Sequence, residues 1–534
     1  MAPPPPSSST GSSRLNGAAH RAAAGQLKAH AGEAPKAPLM LSVSGCRGVL
    51  GESMTPETAM RFAYAFGGYL VERAASAKNA GKNAGKSGGK KTGSTKIARP
   101  AVVLAADGRR GGGMIAGAAQ AGLNAAGCDV VNVEVVPTPS AGFLVDAWNY
   151  AGGLVITASH NPQNWLGLKP VLRSPKAKLG SIDAGAPDKQ TAAEIIERFH
   201  STASVPCGGW ESLGRVTYAN GVGDAHGQQL LEVLDGLGVR RLIAKARFKV
   251  VVDHLGMSGA VADGALLDAL CGPQGKAWFE VDTAEDADGI FPHTPEPLRE
   301  NLLGLGKAVK ARRADVGFAQ DPDADRLAII DEKGRYIGEE CTLVLCAIAL
   351  AQLGLISKKS TLVCNLSTSR MIEDVAATLG AKVLRSAVGE ANVVEVMKKV
   401  GSPFGGEGNG GVIWPVATYV RDSLAGMALV LALLAMEKRP LSAIVADIPV
   451  YAIEKRKVEL RDKEVARAAV EKIASEFSDY EIDRQDGVRV DFAEQRAWLH
   501  VRASNTEPIM RLIAEAPSIK EAEAILAEAG RIIG

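Results

Sequence analysis

The sequence predicts an α/β protein of several domains followed by a small α+β domain. The chain has 534 residues, whereas a typical domain has about 100–200. Short apolar runs alternate with amphipathic stretches, which is typical of sheets that are covered by helices on both faces. The clearest of these runs span residues 101–104, 130–133, 250–253, 316–319 and 361–365.

The pattern changes near residue 448, where we expect the α+β domain to begin. The run 451–460 is followed by a predicted helix near 463–476. Residues 488–492 and 497–501 are predicted to form a pair of antiparallel strands, and a last helix is predicted near 518–532.

Composition and charge argue against a nucleic-acid or membrane partner. Hydrophobic residues make up 46% of the chain and charged residues 22%, with a net charge of +2. The basic residues are concentrated in one tract, 78–99, rather than spread over a folded face as in a nucleic-acid-binding protein. The longest apolar run, 424–436, is too short to span a bilayer and predicts a core helix.

The cysteines and the N-terminal segment bear on the cellular location. Seven scattered cysteines without a Cys-x-x-Cys motif indicate a reducing compartment and mostly buried thiols. Residues 1–38 are rich in Pro, Ser, Ala and Gly and are predicted to be a disordered tail. The tail lacks the apolar core of a secretory signal, and its few acids leave a transit peptide as an alternative. We favour a cytoplasmic protein.

Residues 75–100 form a second low-complexity tract. Within it, 81–87 imitates a Walker A loop, but the spacing is one residue short and no buried strand precedes it. We interpret the tract as a flexible Lys/Gly loop that is inserted between a helix and a strand.

The first candidate site follows the buried strand 153–156. Ser159 and His160 lie in the polar stretch 157–162, and Lys169 stands ten residues after the serine. A serine next to a histidine raises the hypothesis of a hydrolase. No glycine elbow surrounds the serine, however, and the acidic residues are grouped elsewhere, so we reject that hypothesis.

The second candidate site is a cluster of three aspartates. Asp321, Asp323 and Asp325 alternate along the chain and offer only hard oxygen ligands, which suit Mg²⁺. An EF-hand is an alternative because Glu332 falls at loop position twelve. Arg326 occupies the position of the required glycine, and the flanks resemble strands, so the EF-hand is disfavoured. A solvated acidic turn is the remaining alternative, but close carboxylates repel one another without a cation.

Two further loops carry polar groups. Residues 404–411 contain five glycines together with Glu407 and Asn409, which suit the paired hydroxyls of a sugar. Residues 501–508 follow a strand and offer Arg502, small hydroxyls and loop N–H groups as a phosphate cradle. An ordinary helix cap is an equal alternative for the second loop.

The four loops together resemble the α-D-phosphohexomutases. Their order along the chain is that of the family, which includes phosphoglucomutase, phosphomannomutase and phosphoglucosamine mutase. The resemblance covers roughly residues 40–532 apart from the Lys/Gly tract. The motifs are Thr-Ala-Ser-His-Asn-Pro (157–162), Asp-Pro-Asp-Ala-Asp-Arg (321–326), Gly-Glu-Gly-Asn-Gly-Gly (406–411) and Arg-Ala-Ser-Asn-Thr-Glu-Pro (502–508).

The resemblance implies a four-domain α/β architecture around a central cleft. Three α/β domains with mixed sheets would precede a smaller, mobile α+β domain that carries the phosphate loop. After the tail 1–38, we place the domain boundaries at 39–205 for domain I with the serine loop, 206–338 for domain II with the metal loop, 339–447 for domain III with the sugar loop, and 448–534 for domain IV.

The resemblance also implies catalytic roles. Ser159 would carry a phosphoryl group, primed by a hexose 1,6-bisphosphate, and Lys169 would act as general acid/base on the sugar hydroxyl. Arg47 resembles the first-domain arginine that faces the active site. His160 and Arg326 are assigned to the same set of catalytic residues. We expect nearby cations (Arg47, Arg326 and Mg²⁺) to lower the pKa of Lys169.

The binding residues follow in the same way. Mg²⁺ would be held by Asp321, Asp323 and Asp325 and by an oxygen of the phosphate on Ser159. Glu407 and Asn409 resemble ligands of the sugar hydroxyls. The phosphate that does not react would be bound by Arg502, Ser504, Asn505, Thr506 and Arg511.

Three departures from the family pattern leave the sugar open. The stretch 164–168 lacks the usual Asn-Gly pair before Lys169, and 105–109 departs from Gly-Arg-Asp-Thr-Arg. Gly411 stands where many bacterial members have a histidine.

The sugar loop resembles archaeal-type phosphoglucosamine mutases, so glucosamine phosphate is the leading substrate. A glucose or mannose phosphate mutase is the alternative, and a phosphatase or an inactive binding paralogue is a remote one. The expected partner is a small phosphosugar, and the oligomeric state is left open between monomer and homodimer.

Overall fold

A computed structural model describes residues 37–84, 99–281, 288–459, 463–503 and 509–533. These residues form four successive units, each built on its own sheet. The predicted tail, residues 1–38, therefore lies almost wholly outside the described residues.

The first unit contains a seven-stranded sheet in the order β1-β2-β6-β5-β3-β4-β7. The sheet is mixed, because β5 pairs parallel with β3 and antiparallel with β6. Its strands are β1 (Met40–Ser42), β2 (Gly45–Val49), β3 (Ala101–Ala106), β4 (Asp129–Val135), β5 (Gly152–Ile156), β6 (Trp165–Leu172) and β7 (Val216–Tyr218). Its helices are α1 (Pro56–Ala84), α2 (Gly112–Ala125), α3 (Thr138–Ala147) and α4 (Lys189–Ser201).

Two expectations for this unit need correction. The tract 75–100 is not a loop throughout, because α1 continues to Ala84; residues 85–98 lie outside the described residues. The first sheet also extends past the expected boundary at residue 205, since β7 pairs with β4 through residues 216–218.

The second unit is a four-stranded sheet in the order β11-β10-β8-β9. Strands β10 and β11 form an antiparallel hairpin, and the aspartate cluster is the turn between them. The strands are β8 (Val250–Asp253), β9 (Trp278–Val281), β10 (Val316–Gln320) and β11 (Leu327–Asp331). The helices are α5 (Ala225–Gly236), α6 (Arg240–Ala246), α7 (Gly259–Leu270) and α8 (Leu303–Arg312).

The third unit has the strand order β13-β12-β14-β15, with the sugar loop between its last two strands. The strands are β12 (Thr361–Asn365), β13 (Lys382–Ser386), β14 (Gly405–Glu407) and β15 (Gly411–Ile413). The helices are α9 (Glu339–Gln352), α10 (Met371–Leu379), α11 (Glu390–Val400), α12 (Ser423–Glu437) and α13 (Leu441–Val445).

Helix α12 is the predicted core helix, and it is buried along almost its whole length. It has no polar face because it packs within one continuous core formed by the second and third units. A helix that is apolar on all sides is stable only in such a position. Among the described residues, no helix combines the length and apolar character needed to cross a bilayer.

The fourth unit is antiparallel throughout, in the order β16-β20-β19-β18-β17. The predicted pair is confirmed, with Val488 opposite Val501 and Phe492 opposite Ala497. The strands are β16 (Ala452–Glu459), β17 (Glu481–Asp483), β18 (Val488–Phe492), β19 (Ala497–Ala503) and β20 (Ile509–Ala516), and the helices are α14 (Lys463–Glu476) and α15 (Ile519–Ile533).

The cysteines are free thiols, and all but the exposed Cys207 are buried. This confirms the expectation of mostly buried thiols. Burial raises the pKa of Cys46 and of Cys128 to about 12, so these thiols stay protonated and unreactive near pH 7.

Candidate active site

The loop after β5 holds Ser159 in a left-handed backbone conformation. Its φ is 50°, which costs a residue with a side chain on the order of 1–3 kcal/mol. The Thr157 hydroxyl accepts the Ser159 N–H at 2.8 Å and donates to Asp107 at 2.7 Å. Asp107 also pairs with the buried Arg109, which donates to the Ser159 carbonyl oxygen. This network fixes the serine at the carboxyl end of β5.

The three aspartates lie together in the turn between β10 and β11, with one oxygen of each within 4.8 Å of the others. Asp323 Oδ2 accepts a hydrogen bond from Thr138 Oγ1 at 2.7 Å, and Asp321 Oδ1 accepts two backbone N–H groups of the turn. Asp323 Oδ1 and Asp325 Oδ1, by contrast, are buried and have no hydrogen-bond partner among the described residues. Buried oxygens of this kind fit a hard cation such as Mg²⁺.

Electrostatics support the same interpretation of the turn. Burial and the charges of Asp325 and Asp323 raise the pKa of Asp321 well above its ordinary value. A cation at this position would remove that repulsion.

An EF-hand is inconsistent with the same turn. Strands rather than helices flank it, and Glu332 accepts the backbone N–H of Ser442 at 3.0 Å, away from the aspartates. The EF-hand alternative is therefore excluded.

The serine loop of the first unit meets the aspartate turn of the second. Ser159 Oγ donates to Asp321 Oδ2 at 2.6 Å, and His160 Nδ1 lies 3.3 Å from the same hydroxyl oxygen. Burial, reinforced by Arg326 and Arg47, lowers the pKa of His160 to about 2. The imidazole is therefore neutral near pH 7.

Lys169 lies on β6 next to the same turn, but the expectation for its pKa is wrong. Its Nζ is 2.6 Å from Asp325 Oδ2, 3.6 Å from Asp323 and 3.5 Å from Glu390. Burial lowers the pKa of Lys169, but the charges of these carboxylates outweigh burial and raise the pKa above its ordinary value. Carboxylates, rather than cations, are the nearest charges to this lysine.

Arg47 and Arg326 lie beside the aspartate turn. Arg47 Nη1 lies 3.4 Å from Asn161 Oδ1 in the serine loop. Burial lowers the pKa of Arg47, and the charges of Asp323 and Asp325 oppose this effect, which places the guanidinium near the aspartates. Arg326 Nη1 lies 4.0 Å from Glu296.

Arg421, which the sequence analysis did not single out, joins the aspartate turn to the sugar loop. Its side chain is buried, with Nη2 2.6 Å from Asp325 Oδ2 and Nη1 2.7 Å from Glu407 Oε2. Its Nε lies 3.5 Å from Glu390. A Cβ atom on Gly411 would lie 2.3 Å from the Arg421 Cδ, so the glycine makes room for the arginine.

The sugar loop presents its polar groups in a fixed arrangement. Glu407 Oε1 accepts hydrogen bonds from Asn365 Nδ2 at 2.8 Å and from the Gly389 N–H at 3.2 Å. Asn409 Oδ1 accepts the Gly411 N–H at 3.2 Å, which leaves its amide nitrogen 3.5 Å from Glu407 Oε2.

A cleft of about 530 Å³ lies between the third and fourth units. The side of the fourth unit is basic and the side of the third unit is mainly acidic and polar. Its lining includes His160, Glu296, Glu339, Glu340, Asn365, Ser367, Glu407, Asn409, Lys455, Arg456, Lys457, Arg502 and Arg511.

Arg502 is held in this cleft by Asp486, whose Oδ2 lies 2.8 Å from Arg502 Nη1. His500, two residues earlier on β19, contacts the Ser367 hydroxyl of the third unit at 2.9 Å. Arg511 lines the same cleft. Ser504, Asn505 and Thr506 lie outside the described residues, and their role in binding phosphate stays a prediction.

Comparisons with known proteins cover all four units. Family models for phosphoglucomutase/phosphomannomutase match in order: the alpha/beta/alpha domains I, II and III match residues 74–204, 235–334 and 339–451, and the C-terminal domain matches 455–532.

The chain is also 33% identical over 483 residues to a phosphoglucomutase/phosphomannomutase of Thermococcus kodakarensis, with 90% of this chain and 95% of the relative covered. The chain belongs to the phosphoglucomutase/phosphomannomutase family. It is thus a phosphohexomutase, and the expected four-domain α/β architecture is confirmed.

Two further relatives of this phosphohexomutase are informative. A probable phosphoglucosamine mutase of Methanopyrus kandleri is 31% identical over 485 residues, with 90% of this chain and 94% of the relative covered. A solved structure of a family protein from Burkholderia thailandensis has a TM-score of 0.68 at 25% identity and covers 92% of this chain and 98% of its own.

The residues that support these loops could not be predicted from the sequence. Arg421 stands three residues before the apolar run 424–436, and Glu390 and Thr138 belong to none of the four motifs. Asp107 was noted only as a departure from the family pattern, although it anchors the serine loop. Contacts with residues that are distant along the chain reveal these roles.

We expect Arg421→Lys to lower kcat/KM by about ten- to hundredfold, as the loss of one charge-assisted hydrogen bond would do. A planar guanidinium spans two carboxylates, whereas an ammonium group does not reproduce that fork. Steady-state kinetics would measure the change. Arg439→Lys is the matched control, since Arg439 is exposed and pairs with Asp447. Wild-type kinetics in Arg421→Lys would contradict the bridging role.

Proposed function

We propose that this phosphohexomutase interconverts the 1- and 6-phosphates of glucosamine through a phosphoryl group on Ser159. The 2.6 Å contact between Ser159 Oγ and Asp321 supports this role, because it places the hydroxyl beside a site that fits a cation. The relative from Methanopyrus kandleri and the Gly-Glu-Gly-Asn-Gly-Gly loop support glucosamine as the sugar. Glucose or mannose phosphate is the second candidate, as the name of the Thermococcus relative suggests.

The proposed reaction has two balanced halves. First, the bond between phosphorus and Ser159 Oγ breaks while phosphorus bonds to a sugar hydroxyl oxygen; the sugar hydroxyl loses a proton and the serine oxygen gains one. The resulting bisphosphate then reorients. Its other phosphate returns to Ser159, and both proton movements reverse, so no proton is consumed overall.

Lys169 is the residue proposed to exchange the proton of the sugar oxygen. The carboxylates of Asp325 and Glu390 hold it as an ammonium ion beside the serine loop. In this form it can donate a proton to the sugar oxygen in the second half-reaction, and the neutral amine can accept a proton in the first.

Asp321, Asp323 and Asp325 would hold Mg²⁺ together with an oxygen of the serine phosphate. When bound, the ion supplies charge neutralisation for the phosphoryl group. The basic side of the cleft, with Arg502 and Arg511, would bind the phosphate that does not react.

The substrate proposal is tested by kcat/KM for glucosamine, glucose and mannose 1-phosphates with the same preparation of enzyme. A preference for glucosamine 1-phosphate supports it. A higher value for glucose or mannose 1-phosphate would assign the enzyme to the second candidate.

We expect Ser159→Ala to lose nearly all mutase activity and to take up no phosphate from a hexose 1,6-bisphosphate. Intact-mass measurement followed by peptide mapping detects the modification. Ser357→Ala, at an exposed serine, should be labelled and active like the wild type. Phosphate on another residue, together with full activity in Ser159→Ala, would refute the assignment.

We expect Asp323→Asn to weaken Mg²⁺ binding at least about tenfold, because the charge of the ligand set determines the affinity of such sites. Isothermal titration of the protein with Mg²⁺ measures the affinity without reference to turnover. Glu332→Gln is the control, since Glu332 contacts Ser442 rather than the aspartates. Equal affinity in Asp323→Asn and wild type would contradict the proposed site.

We expect Arg502→Ala to raise KM and to lower kcat, with kcat/KM reduced about tenfold or more, because a charge-assisted phosphate contact is lost. Binding energy from the remote phosphate also positions the reacting one, which is why kcat falls too. Ser159 should remain phosphorylatable. Arg484→Ala, at an exposed arginine of the same unit, should behave like the wild type. Unchanged kinetics in Arg502→Ala would place the phosphate elsewhere.

A further inference from the structure

Four glutamates of the described part of the chain line the cleft, and three of them have a cationic partner. An internal partner reduces the charge that a carboxylate presents to a ligand. The closest nitrogen–oxygen distances are 2.7 Å for Glu407 with Arg421, 3.1 Å for Glu339 with Lys455, and 4.0 Å for Glu296 with Arg326.

Glu340 is the fourth, and it forms no ion pair among the described residues of the cleft. Its Oε2 accepts the backbone N–H of Ser369 at 2.9 Å. Burial raises the pKa of Glu340 to about 8, with the Ser369 N–H and the charge of Lys455 opposing burial and Glu339 and Glu515 adding to it. A carboxyl with this pKa is largely protonated near pH 7, and a further positive partner would favour its charged form. A ligand can supply one here.

The position of Glu340 is defined by the sugar loop. A Cβ atom on Gly408 would lie 2.0–2.2 Å from the Glu340 carboxylate group. The carboxylate therefore packs directly against the backbone between Glu407 and Asn409, the two residues proposed to bind sugar hydroxyls. A substituent on a sugar ring that is bound by Glu407 and Asn409 would lie near Glu340.

We infer that Glu340 is a specificity-determining residue whose carboxylate binds the ammonium group of a 2-amino-2-deoxyhexose phosphate. The inference rests on the proposed mutase function and concerns the choice of sugar. The phosphate that does not react faces the basic side of the cleft, where Lys455, Arg456 and Lys457 lie on β16. The ammonium group faces the acidic side. A neutral hexose phosphate offers Glu340 only a hydroxyl, so the residue creates a preference rather than an absolute requirement.

The test compares kcat/KM for glucosamine 6-phosphate and glucose 6-phosphate in the wild type, Glu340→Gln and Glu395→Gln. Glu340→Gln keeps the shape but cannot become charged, so the ratio of glucosamine to glucose should fall at least about tenfold. Glu395→Gln, at an exposed glutamate of the same unit that does not line the cleft, should leave the ratio within about twofold of wild type. Glu340→Asp keeps the charge and should retain part of the preference.

The outcomes separate this inference from the proposed function. A wild-type enzyme that prefers glucosamine phosphate, with a ratio unchanged in both Glu340→Gln and Glu340→Asp, would overturn the role of Glu340 alone. A wild-type enzyme that prefers glucose phosphate, with no change of ratio in the variants, would overturn the choice of sugar as well. A fall of the ratio in Glu340→Gln, but not in Glu395→Gln, supports the inference.

Discussion

The paired charges of Asp325, Lys169 and Arg421 connect the three α/β units at the active site. Asp325 belongs to the second unit, Lys169 to the first and Arg421 to the third, and both cations lie 2.6 Å from the same carboxylate oxygen. Breaking a buried pair of this kind costs about 3–5 kcal/mol, because one charge is left without a partner. The serine loop, the aspartate turn and the sugar loop are therefore held in one fixed arrangement.

The sequence was informative wherever the signal was local. A buried strand followed directly by a polar loop was enough to predict the surroundings of Ser159, and three alternating carboxylates were enough to predict a cation site. The strands of the core were equally clear, because their apolar residues are contiguous. Three predicted strands, 250–253, 361–365 and 488–492, have the same bounds in the structure.

The parts that could not be predicted depend on residues far apart along the chain. Arg421 contacts Asp325 across 96 positions, and Thr138 contacts Asp323 across 185. The prediction that the pKa of Lys169 is lowered was wrong for the same reason. The carboxylates that raise it, Asp325 and Glu390, come from the second and third units. The chemistry of each loop was thus predictable, while the electrostatic environment created by folding was not.

The hydrogen bond between Ser159 and Asp321 has a thermodynamic consequence. It requires the serine to be a hydroxyl, because a phosphorylated serine has no proton to donate and brings negative charge toward a carboxylate. A cation bound at the aspartates would turn that repulsion into attraction. Phosphorylation and cation binding are then reciprocally linked. The serine phosphate raises the affinity for the ion, and the bound ion favours the phosphorylated serine by the same factor. The unmodified and phosphorylated enzymes would therefore differ in their affinity for the ion.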